Sequence, residues 1–483
     1  MGNLKDINYG VGKYLTADDA TSIPDIENNR VNIDTLNFKL ASNNSYALYN
    51  MKDGFIEAFE DASGVDASAS TNETRDGSGK YYSGYSTSAT NATGGTITTS
   101  GGNTIHTFST ANNGTSTNNF VAPSTQTVNY LMVGGGGGGG AGYGGGGGGG
   151  GVITGTSSVA AGTHAVVAGA GGLGDIYGGS NDATDGSSST FNSLTAHGGG
   201  YGANNSGTGN PSTASGGGGS DAGGPSLGND HGTGGSQGND GGQGSGNVGG
   251  GGGGAGGAGS HGTYSPSTGG NGGAGLAASI PGVPSATYGG GGGGGTATSG
   301  PGGSGGSGGG GDGGHGSPDT SPGGLGKDGT DGLGGGGGGS GYGAGTSSPT
   351  RASGDGGDGT VKISYTTNAF TETNYLNCTL VSNAQTARAQ PDTARITVFE
   401  HPSTGTTTVN TDIKAYASRD NGTTYTQITL ADDGEYESGK KLLSGSVDIS
   451  GQPAGTSMRY KIETLNQSSS KITRLHGVSL QWA

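Results

Sequence analysis

Charged side chains, cysteines and long apolar runs are all scarce in this chain of 483 residues. Charged residues make up 12% of the chain and hydrophobic residues 27%, which disfavours an ordinary globular enzyme. Cys378 is the single cysteine, so an intrachain disulfide and a metal site built from several thiolates are both excluded. The sequence has no run near 18 apolar residues and no basic opening segment with an apolar stretch behind it. We therefore expect neither a membrane-spanning helix nor a signal peptide.

Positive charge is also in short supply. Twenty Lys and Arg stand against 36 Asp and Glu, which gives a formal net charge of −16 at pH 7. Such a chain repels nucleic-acid phosphates and anionic lipid head groups. We therefore expect no nucleic-acid partner and no membrane insertion.

Glycine is the abundant residue: the chain has 120, and 99 of them lie between residues 134 and 360. Fixing a glycine costs about 0.5–1 kcal/mol more than fixing an alanine, and a backbone hydrogen bond contributes a similar amount. The block is therefore either a disordered tether or a lattice in which almost every amide is paired. Uninterrupted glycine runs recur with similar lengths at 134–140, 144–151, 249–254, 289–295 and 334–339. This regularity favours a lattice of threefold extended rods, each about 19–25 Å long at about 3.1 Å per residue.

The remaining pattern predicts a mainly β protein in three parts, residues 1–79, 80–365 and 366–483. In the first part, apolar residues at three- and four-residue spacing predict two short helices over 29–61 with a break at 43–45. Their stripe, from Ile33 to Phe59, needs a partner or copies of the chain for burial. Residues 66–79 are expected to form a polar linker.

Short strands are expected on both sides of the glycine runs and in the last part of the chain. Strands are predicted at 104–109, 128–133, 152–159, 162–167, around 191 and at 360–365. After residue 371, alternating side chains and the turn signal Asp420-Asn421-Gly422 predict a hairpin within a C-terminal β-sandwich of about 110 residues. The predicted fold class is thus a short helical segment, a β-framed glycine-rich domain with polyglycine II helices, and a sandwich.

Three framing stretches carry a family resemblance. Residues 103–108 and 128–133, which lead into the first glycines, and residues 359–365 at the exit resemble the glycine-rich domain of tail-fibre and adhesin proteins of tailed bacteriophages. Residues 31–55 and 379–482 are similar to modules of structural proteins from phages of marine bacteria. The resemblance implies packed polyglycine II helices, a place in the virion, and tip loops that bind a bacterial surface glycan or protein.

Connectors between the glycine runs hold the candidate site residues. Tyrosine rings can pack on sugar C–H faces and Asp side chains can accept bonds from hydroxyls. Receptor contacts are therefore expected at His261, Tyr264, Tyr288, Asp319, Asp328 and Tyr342. The alternative for the tyrosines is a spacer role at the edges of the bundle or against the framing strands. The Asp residues lie in glycine surroundings without an apolar pocket, and no histidines stand at ligand spacing, so we expect no catalytic residue, no metal site and no cofactor.

These observations together indicate a non-enzymatic virion protein. Its N-terminal part is expected to dock on other tail or capsid proteins, and its glycine-block loops or its sandwich to bind the receptor. Burial of the stripe from Ile33 to Phe59 predicts self-association, as a homotrimer. Two alternatives remain open: a purely structural virion protein, such as a capsid decoration or tail spacer, and a subunit of an extracellular filament.

Overall fold

A computed structural model of the chain describes residues 26–110, 118–176, 182–204, 207–212, 214–220, 237–296, 300–316, 324–342 and 352–483. The regular secondary structure of the described residues is mainly β-strand, with one α-helix near the N-terminus, which confirms the predicted fold class. The chain divides into two compact units, residues 1–88 with 373–483 and residues 89–372. This division differs from the three predicted parts because N-terminal and C-terminal strands share one sheet.

The elements are named here in chain order. The first are helix α1 (Ile26–Asn43) and strands β1 (Leu48–Met51), β2 (Gly54–Glu57), β3 (Thr74–Asp76), β4 (Tyr81–Ser83) and β5 (Tyr85–Thr90). Next come β6 (Thr96–Ser100), β7 (Asn103–Ser109), β8 (Asn118–Ala122), β9 (Gln126–Val133), β10 (Val152–Val159), β11 (Gly162–Val167), β12 (Ser189–Phe191), β13 (Leu194–Ala196), β14 (Leu276–Ile280), β15 (Val283–Tyr288) and β16 (Thr360–Thr366). The last are β17 (Phe370–Tyr375), β18 (Cys378–Val381), β19 (Gln385–Thr386), β20 (Thr393–Thr404), β21 (Ile413–Ser418), β22 (Thr426–Ile428), β23 (Ala431–Glu437), β24 (Lys440–Asp448), β25 (Ser457–Thr464) and β26 (Ile472–Trp482).

The unit formed by both chain ends is a sandwich of two antiparallel sheets, as predicted for its C-terminal part. The larger sheet has the order β1-β2-β26-β20-β24-β23, with β4 beside β26 and β3 beside β4. The smaller sheet has the order β18-β25-β21-β22, with β19 beside β25. The core between them includes Phe55, Ile396, Leu443, Tyr460 and Leu480. The predicted hairpin is also confirmed, since β21 pairs with β22 and the intervening Asn421 and Gly422 have positive φ.

The second predicted helix is wrong. Residues 48–57 form the hairpin β1–β2, and Phe55 pairs with Leu480 in the neighbouring strand β26. Spacing of three and four residues suits a helix, but Asp53-Gly54 is also a strong hairpin signal and strand β26 supplies a partner backbone. Tertiary pairing therefore overrides the local helical pattern.

The polar linker predicted over residues 66–79 is also wrong. This stretch contains β3, and Thr71 pairs with Thr379 across a β-bridge. Ser70 is buried and its hydroxyl accepts a hydrogen bond from the Val381 amide, at 3.0 Å. The polar side chains in this stretch thus serve backbone bonding rather than solvation.

Helix α1 packs on the larger sheet through a short polar and aromatic face. Phe38 stacks on Phe399 with ring centroids 4.0 Å apart. The buried Asp34 carboxylate accepts hydrogen bonds from Arg395 Nη1 at 2.5 Å and from Thr397 Oγ1 at 2.8 Å. These contacts fix both the position of α1 and its rotation about its own axis.

Glu57 is a carboxyl group buried in the sandwich. Burial raises its pKa to about 7, although the Tyr460 hydroxyl donates a hydrogen bond to Oε2. Since the folded pKa lies above the ordinary value of 4.5, the stability from this group is present at acid pH and lost as pH rises through about 7. We expect Glu57→Gln, which cannot titrate there, to gain up to about 3 kcal/mol relative to the parent between about pH 5 and pH 8. Urea unfolding at each pH measures this difference, and a difference that stays constant would contradict the prediction.

The glycine runs form the lattice predicted from their lengths. In residues 134–140, successive amides donate to different neighbouring segments, and every third amide returns to the same segment. Gly134 and Gly137, for example, donate to the carbonyls of Gly151 and Gly148. This threefold repeat is the bonding pattern expected of packed polyglycine II helices, which we call rods.

The rod 144–151 lies at the centre of the lattice. Its amides donate to three rods, 197–203, 249–254 and 334–340, and its carbonyls accept from three more, 134–140, 216–219 and 289–295. A Cβ atom added at Gly146, Gly147 or Gly148 would lie 2.1 Å from a carbonyl oxygen of a neighbouring rod. Glycine is required at this centre because the backbones approach so closely.

Strands frame the rods as the sequence predicted. The sheet β10-β9-β16-β7-β6 is continuous in sequence with the rods. Strand β9 leads into rod 134–140, and rod 144–151 leads into β10. The predicted strands at 104–109, 128–133, 152–159, 162–167 and 360–365 all agree with the observed bounds to within two residues. One face of this sheet packs on β14 and β15 through a small apolar core.

Candidate functional site

The rods run in alternating directions, so their connections lie at two ends of the bundle. The turn 141–143 joins rod 134–140 to the antiparallel rod 144–151, and we call its side the loop end. Rod 249–254 runs parallel to 144–151, whereas rods 289–295 and 334–340 run antiparallel to it. Among the described residues, the loop end therefore includes the turns 141–143, 244–248 and 263–268, together with the rod ends at Thr296 and Tyr342.

The opposite end, which we call the strand end, is occupied by β-structure. Strands β9, β10 and β16 join the rods there, as do the hairpins β12–β13 and β14–β15. The turns 255–257, 307–309 and 331–334 also lie at the strand end. The described part of the loop end, in contrast, has turns and rod ends but no strand, on a lattice whose backbone bonds hold them in place.

Tyr264 is the most exposed aromatic side chain at the loop end, with 65% of its surface accessible. It lies in the turn 263–268, which the backbone pair Thr263 and Thr268 closes. Its ring lies over Gly246, where an added Cβ would come within 2.6 Å of Tyr264 Cδ2. The ring therefore spans two neighbouring turns and presents one surface to solvent.

His261 lies three residues before Tyr264 in sequence, at the end of the rod that leads into the turn 263–268. Its side chain is exposed, and Nδ1 accepts a hydrogen bond from the Gln243 amide at 2.8 Å. The bond ties the two turns together and leaves the other ring nitrogen as the polar group that a ligand can reach. His261 and Tyr264 are thus brought to one surface, and their role as receptor contacts stays a prediction.

Tyr342 is also at the loop end, where it forms an aromatic pair that the sequence analysis missed. Its ring centroid lies 4.8 Å from that of Tyr143, and its amide donates to the Thr296 carbonyl. Tyr143 is held in a left-handed conformation, φ 64°, in the turn 141–143. A tyrosine that interrupts two glycine runs, as Tyr143 does between 134–140 and 144–151, is the sequence signal that could have found it.

Tyr288 is a correction to the sequence analysis. It ends strand β15 at the strand end, is 2% exposed, and packs with Leu131 and Ile280. The connector 279–288 is a β-hairpin whose apolar side chains cover the framing sheet, so the expectation that Tyr288 lies in a surface loop is wrong. The spacer alternative describes its position correctly.

Asp328 also lies away from the loop end, because residues 324–330 form a rod rather than a loop. Asp328 Oδ1 accepts a hydrogen bond from the Asp355 amide at 2.9 Å, and Asp331 Oδ1 accepts one from the Asp358 amide at 3.1 Å. Asp355 and Asp358 in turn accept from the amides of Gly174 and Gly171. These carboxylates bond the amides of adjacent rods at the edge of the lattice. Asp319 lies outside the described residues.

A groove of about 620 Å³ opens on the side of the bundle, between the rods that contain Ser304, Asp312 and Lys327. Lys327 Nζ lies 2.8 Å from Asp312 Oδ2 across it. The hydrogen bond from Lys327 holds the pKa of the Asp312 carboxyl below its ordinary value of 3.8, so the pair stays charged at neutral pH. Leu325 and His315 complete an otherwise peptide-lined wall.

The described residues contain no cluster of three or more His, Cys, Asp or Glu side chains placed to hold a metal ion. No helix in that part of the chain has the length and apolar character needed to cross a membrane. What the loop end offers chemically is noncovalent recognition, through tyrosine faces, an imidazole and turn backbone groups.

Comparison with known protein families identifies the glycine block. The family model described as a glycine-rich domain matches residues 110–366, from the end of β7 to the end of β16, which is more than half of the chain. No curated protein matches the sequence. The matched range coincides with the rods and most of their framing strands, and the chain therefore belongs to the glycine-rich domain family.

Proposed function

We propose that the protein is a non-enzymatic virion protein of the tail-fibre or adhesin type, and that its loop end binds a glycan or protein receptor on a bacterial surface. The observation that carries the proposal is that the described part of the loop end consists of turns and rod ends without a β-strand, whereas all the strands that join the rods do so at the opposite end. A hydrogen-bonded lattice holds its turns without ordering cost at the moment of binding, which favours affinity. Loops on a rigid scaffold commonly carry recognition.

The chemistry of the loop end supports a sugar or a polar protein surface as receptor. Tyr264 offers an exposed ring face, and the pair formed by Tyr143 and Tyr342 offers a second aromatic surface at the same end. Aromatic side chains give large contact area with few rotatable bonds, which is why they dominate many binding surfaces. The net charge of −16 disfavours a strongly anionic receptor.

Virion attachment is assigned to the unit that contains the N-terminal segment. Its resemblance to modules of phage structural proteins supports tail or capsid proteins as its partners, and supports the virion as the location. Two alternatives to an adhesin remain. One is a spacer that binds no receptor, and the other is an extracellular filament subunit.

Adsorption of particles to cells of the bacterium on which they propagate tests the receptor role. We expect Tyr264→Ala to lower the adsorbed fraction at least about tenfold, because one buried aromatic contact contributes on the order of 2 kcal/mol. Leu276→Ala is the control, since Leu276 is 43% exposed in the same unit but lies on β14 at the strand end. Normal particle yield with normal adsorption of the Tyr264 variant would favour the spacer, and polymerisation of the purified chain would favour the filament.

A loop replacement gives a second, larger perturbation of the same surface. Residues 264–267 can be exchanged for glycine and serine without removing a rod, because Thr263 and Thr268 still close the turn. Deletion of residues 317–333 would instead remove the rod 324–330, so it would test folding rather than binding. Adsorption that survives the exchange of 264–267 would overturn the assignment of receptor binding to this turn.

A further inference from the structure

Helix α1 carries an apolar stripe that is exposed among the described residues. Ile33, Leu36 and Leu40 are 54%, 67% and 46% exposed, the largest group of exposed aliphatic side chains on one described element. The apolar spacing predicts that this stripe is buried, but the helix packs on the sheet through its opposite face. Contiguous exposed apolar side chains of this kind mark interaction surfaces.

The helix cannot turn the stripe inward, because a polar network fixes its rotation. The Asp34 carboxylate accepts hydrogen bonds from Arg395, Thr397, Ser479 and Gln481, all on strands of the larger sheet. Rotating α1 to bury Leu36 would separate this carboxylate from its arginine partner. A buried charge would then lose its counter-charge, at a large cost in free energy. The stripe is therefore a fixed outward surface of the folded unit.

The spacing along the stripe is that of a helix-pairing seam. Positions 26, 33 and 40 are occupied by Ile, Ile and Leu at seven-residue intervals, and Leu36 stands between the last two. These are the first and fourth positions of a heptad, where apolar side chains pack into the holes of a neighbouring helix. The other fourth positions, 29 and 43, are both Asn.

The two asparagines select the direction of pairing. Parallel helices in register would set position 29 against 29 and 43 against 43, so that each amide meets an amide of the other copy. Antiparallel helices would set Asn43 against Ile26 and Asn29 against Leu40, which buries amides against apolar side chains. A polar residue on a seam commonly fixes register in this way.

We propose that helix α1 is a self-association surface, in which copies of this chain pair in parallel along the seam formed by Ile33, Leu36 and Leu40. The occupant is a second copy because the seam is complementary to itself in parallel register. No charged side chain occupies a seam position, so the net charge of the chain does not enter the contact directly. The proposal does not depend on receptor binding at the loop end.

Sedimentation of the full-length chain over a concentration series tests the proposal. We expect the parent to associate reversibly and Leu36→Lys to raise the dissociation constant at least about 100-fold, because every copy loses one seam leucine. Lysine has a helix propensity close to that of leucine, so α1 should persist. Leu173→Lys is the matched control, since Leu173 is 60% exposed in the other unit. A mass of two or three copies supports the seam, whereas a monomeric parent or an unshifted Leu36 variant overturns it.

A cysteine at the seam reports direction independently of affinity. In parallel register position 36 faces position 36, so Leu36→Cys should form a disulfide between copies under mild oxidation. The natural Cys378 is buried, and burial raises its thiol pKa to about 12, so it does not compete. Asn37→Cys, one position off the seam, should cross-link at least about tenfold more slowly. Equal rates for the two variants would overturn parallel pairing.

Discussion

Replacing Gly147 by alanine is expected to lower the free energy of unfolding of the glycine-rich unit by about 3–5 kcal/mol. The added Cβ would lie 2.1 Å from the Gly137 carbonyl oxygen, whereas carbon and oxygen atoms normally come no closer than about 3.3 Å. One rod must therefore move by more than about 1 Å. Because Gly147 donates to Gly337 and accepts from Gly292, that movement strains hydrogen bonds to two rods at once. The buried amides released in this way cost about 1–3 kcal/mol each.

Gly257→Ala is the control for this prediction. The nearest atom to its added Cβ is the Ala274 nitrogen at 3.6 Å, an ordinary contact, and its φ is not positive. The change removes backbone freedom from the unfolded chain, so we expect stabilisation of about 0.4–1 kcal/mol. Calorimetry of the full-length chain, with the transition of residues 89–372 assigned by hydrogen exchange, measures both variants. Equal effects at the two positions would contradict a lattice set by close backbone approach.

The existence of the lattice could be predicted from the sequence, but its connectivity could not. Runs of similar length imply rods of similar length, and the balance of glycine entropy against backbone bonding implies that nearly all amides are paired. Every glycine run looks alike, however, so nothing in the sequence says that rod 144–151 is central. The framing strands were predictable because β-branched and aromatic residues such as Val128 and Phe108 mark them.

The site was predictable only in part. His261, Tyr264 and Tyr342 lie at the loop end because connectors must leave a bundle at its ends, a conclusion that needs only the run lengths. The positions of Tyr288 and Asp328 were not predicted, for a common physical reason. The sequence does not show which of the two ends of the bundle a connector reaches, or which connectors continue as rods. Asp-x-x-Asp spacing, as in Asp328 and Asp331, matches the three-residue rod repeat and was the overlooked sign of a lattice edge.

Helix α1 shows how an apolar pattern can mislead about burial. Periodicity alone assigns the stripe of Ile33 and Leu36 to the interior. The structure buries Asp34 and Phe38 instead, because Arg395 on the adjacent strand supplies a charge partner that is 361 residues away in sequence. Such a partner cannot be found from local spacing, so the apolar stripe lies on the exposed face of the helix in the described part of the chain.

Asp34→Ala is expected to lower the free energy of unfolding of the sandwich unit by about 3–5 kcal/mol. The Arg395 side chain is 8% exposed and would remain buried without its carboxylate partner, as would the Thr397 hydroxyl that donates to the same oxygen. The loss falls mainly on the contact between α1 and the sheet, because Asp34 bonds two of its strands, β20 through Arg395 and β26 through Ser479 and Gln481. Amide exchange in residues 26–43 should therefore accelerate more than exchange in β20 and β26.

The matched control is Glu437→Gln, which removes a charge from an ion pair of similar length. Lys440 Nζ lies 2.5 Å from Glu437 Oε2, but the glutamate side chain is 57% exposed, so solvent screens the pair and we expect a change of at most about 0.5 kcal/mol. Urea unfolding of the full-length chain compares the two variants. If the two variants lowered the free energy of unfolding equally, the large effect of Asp34→Ala could not be attributed to burial of the charge pair. If Asp34→Ala left exchange in α1 unchanged, the helix would be held by Phe38 and Ala41 alone, and the fixed outward seam would lose its physical basis.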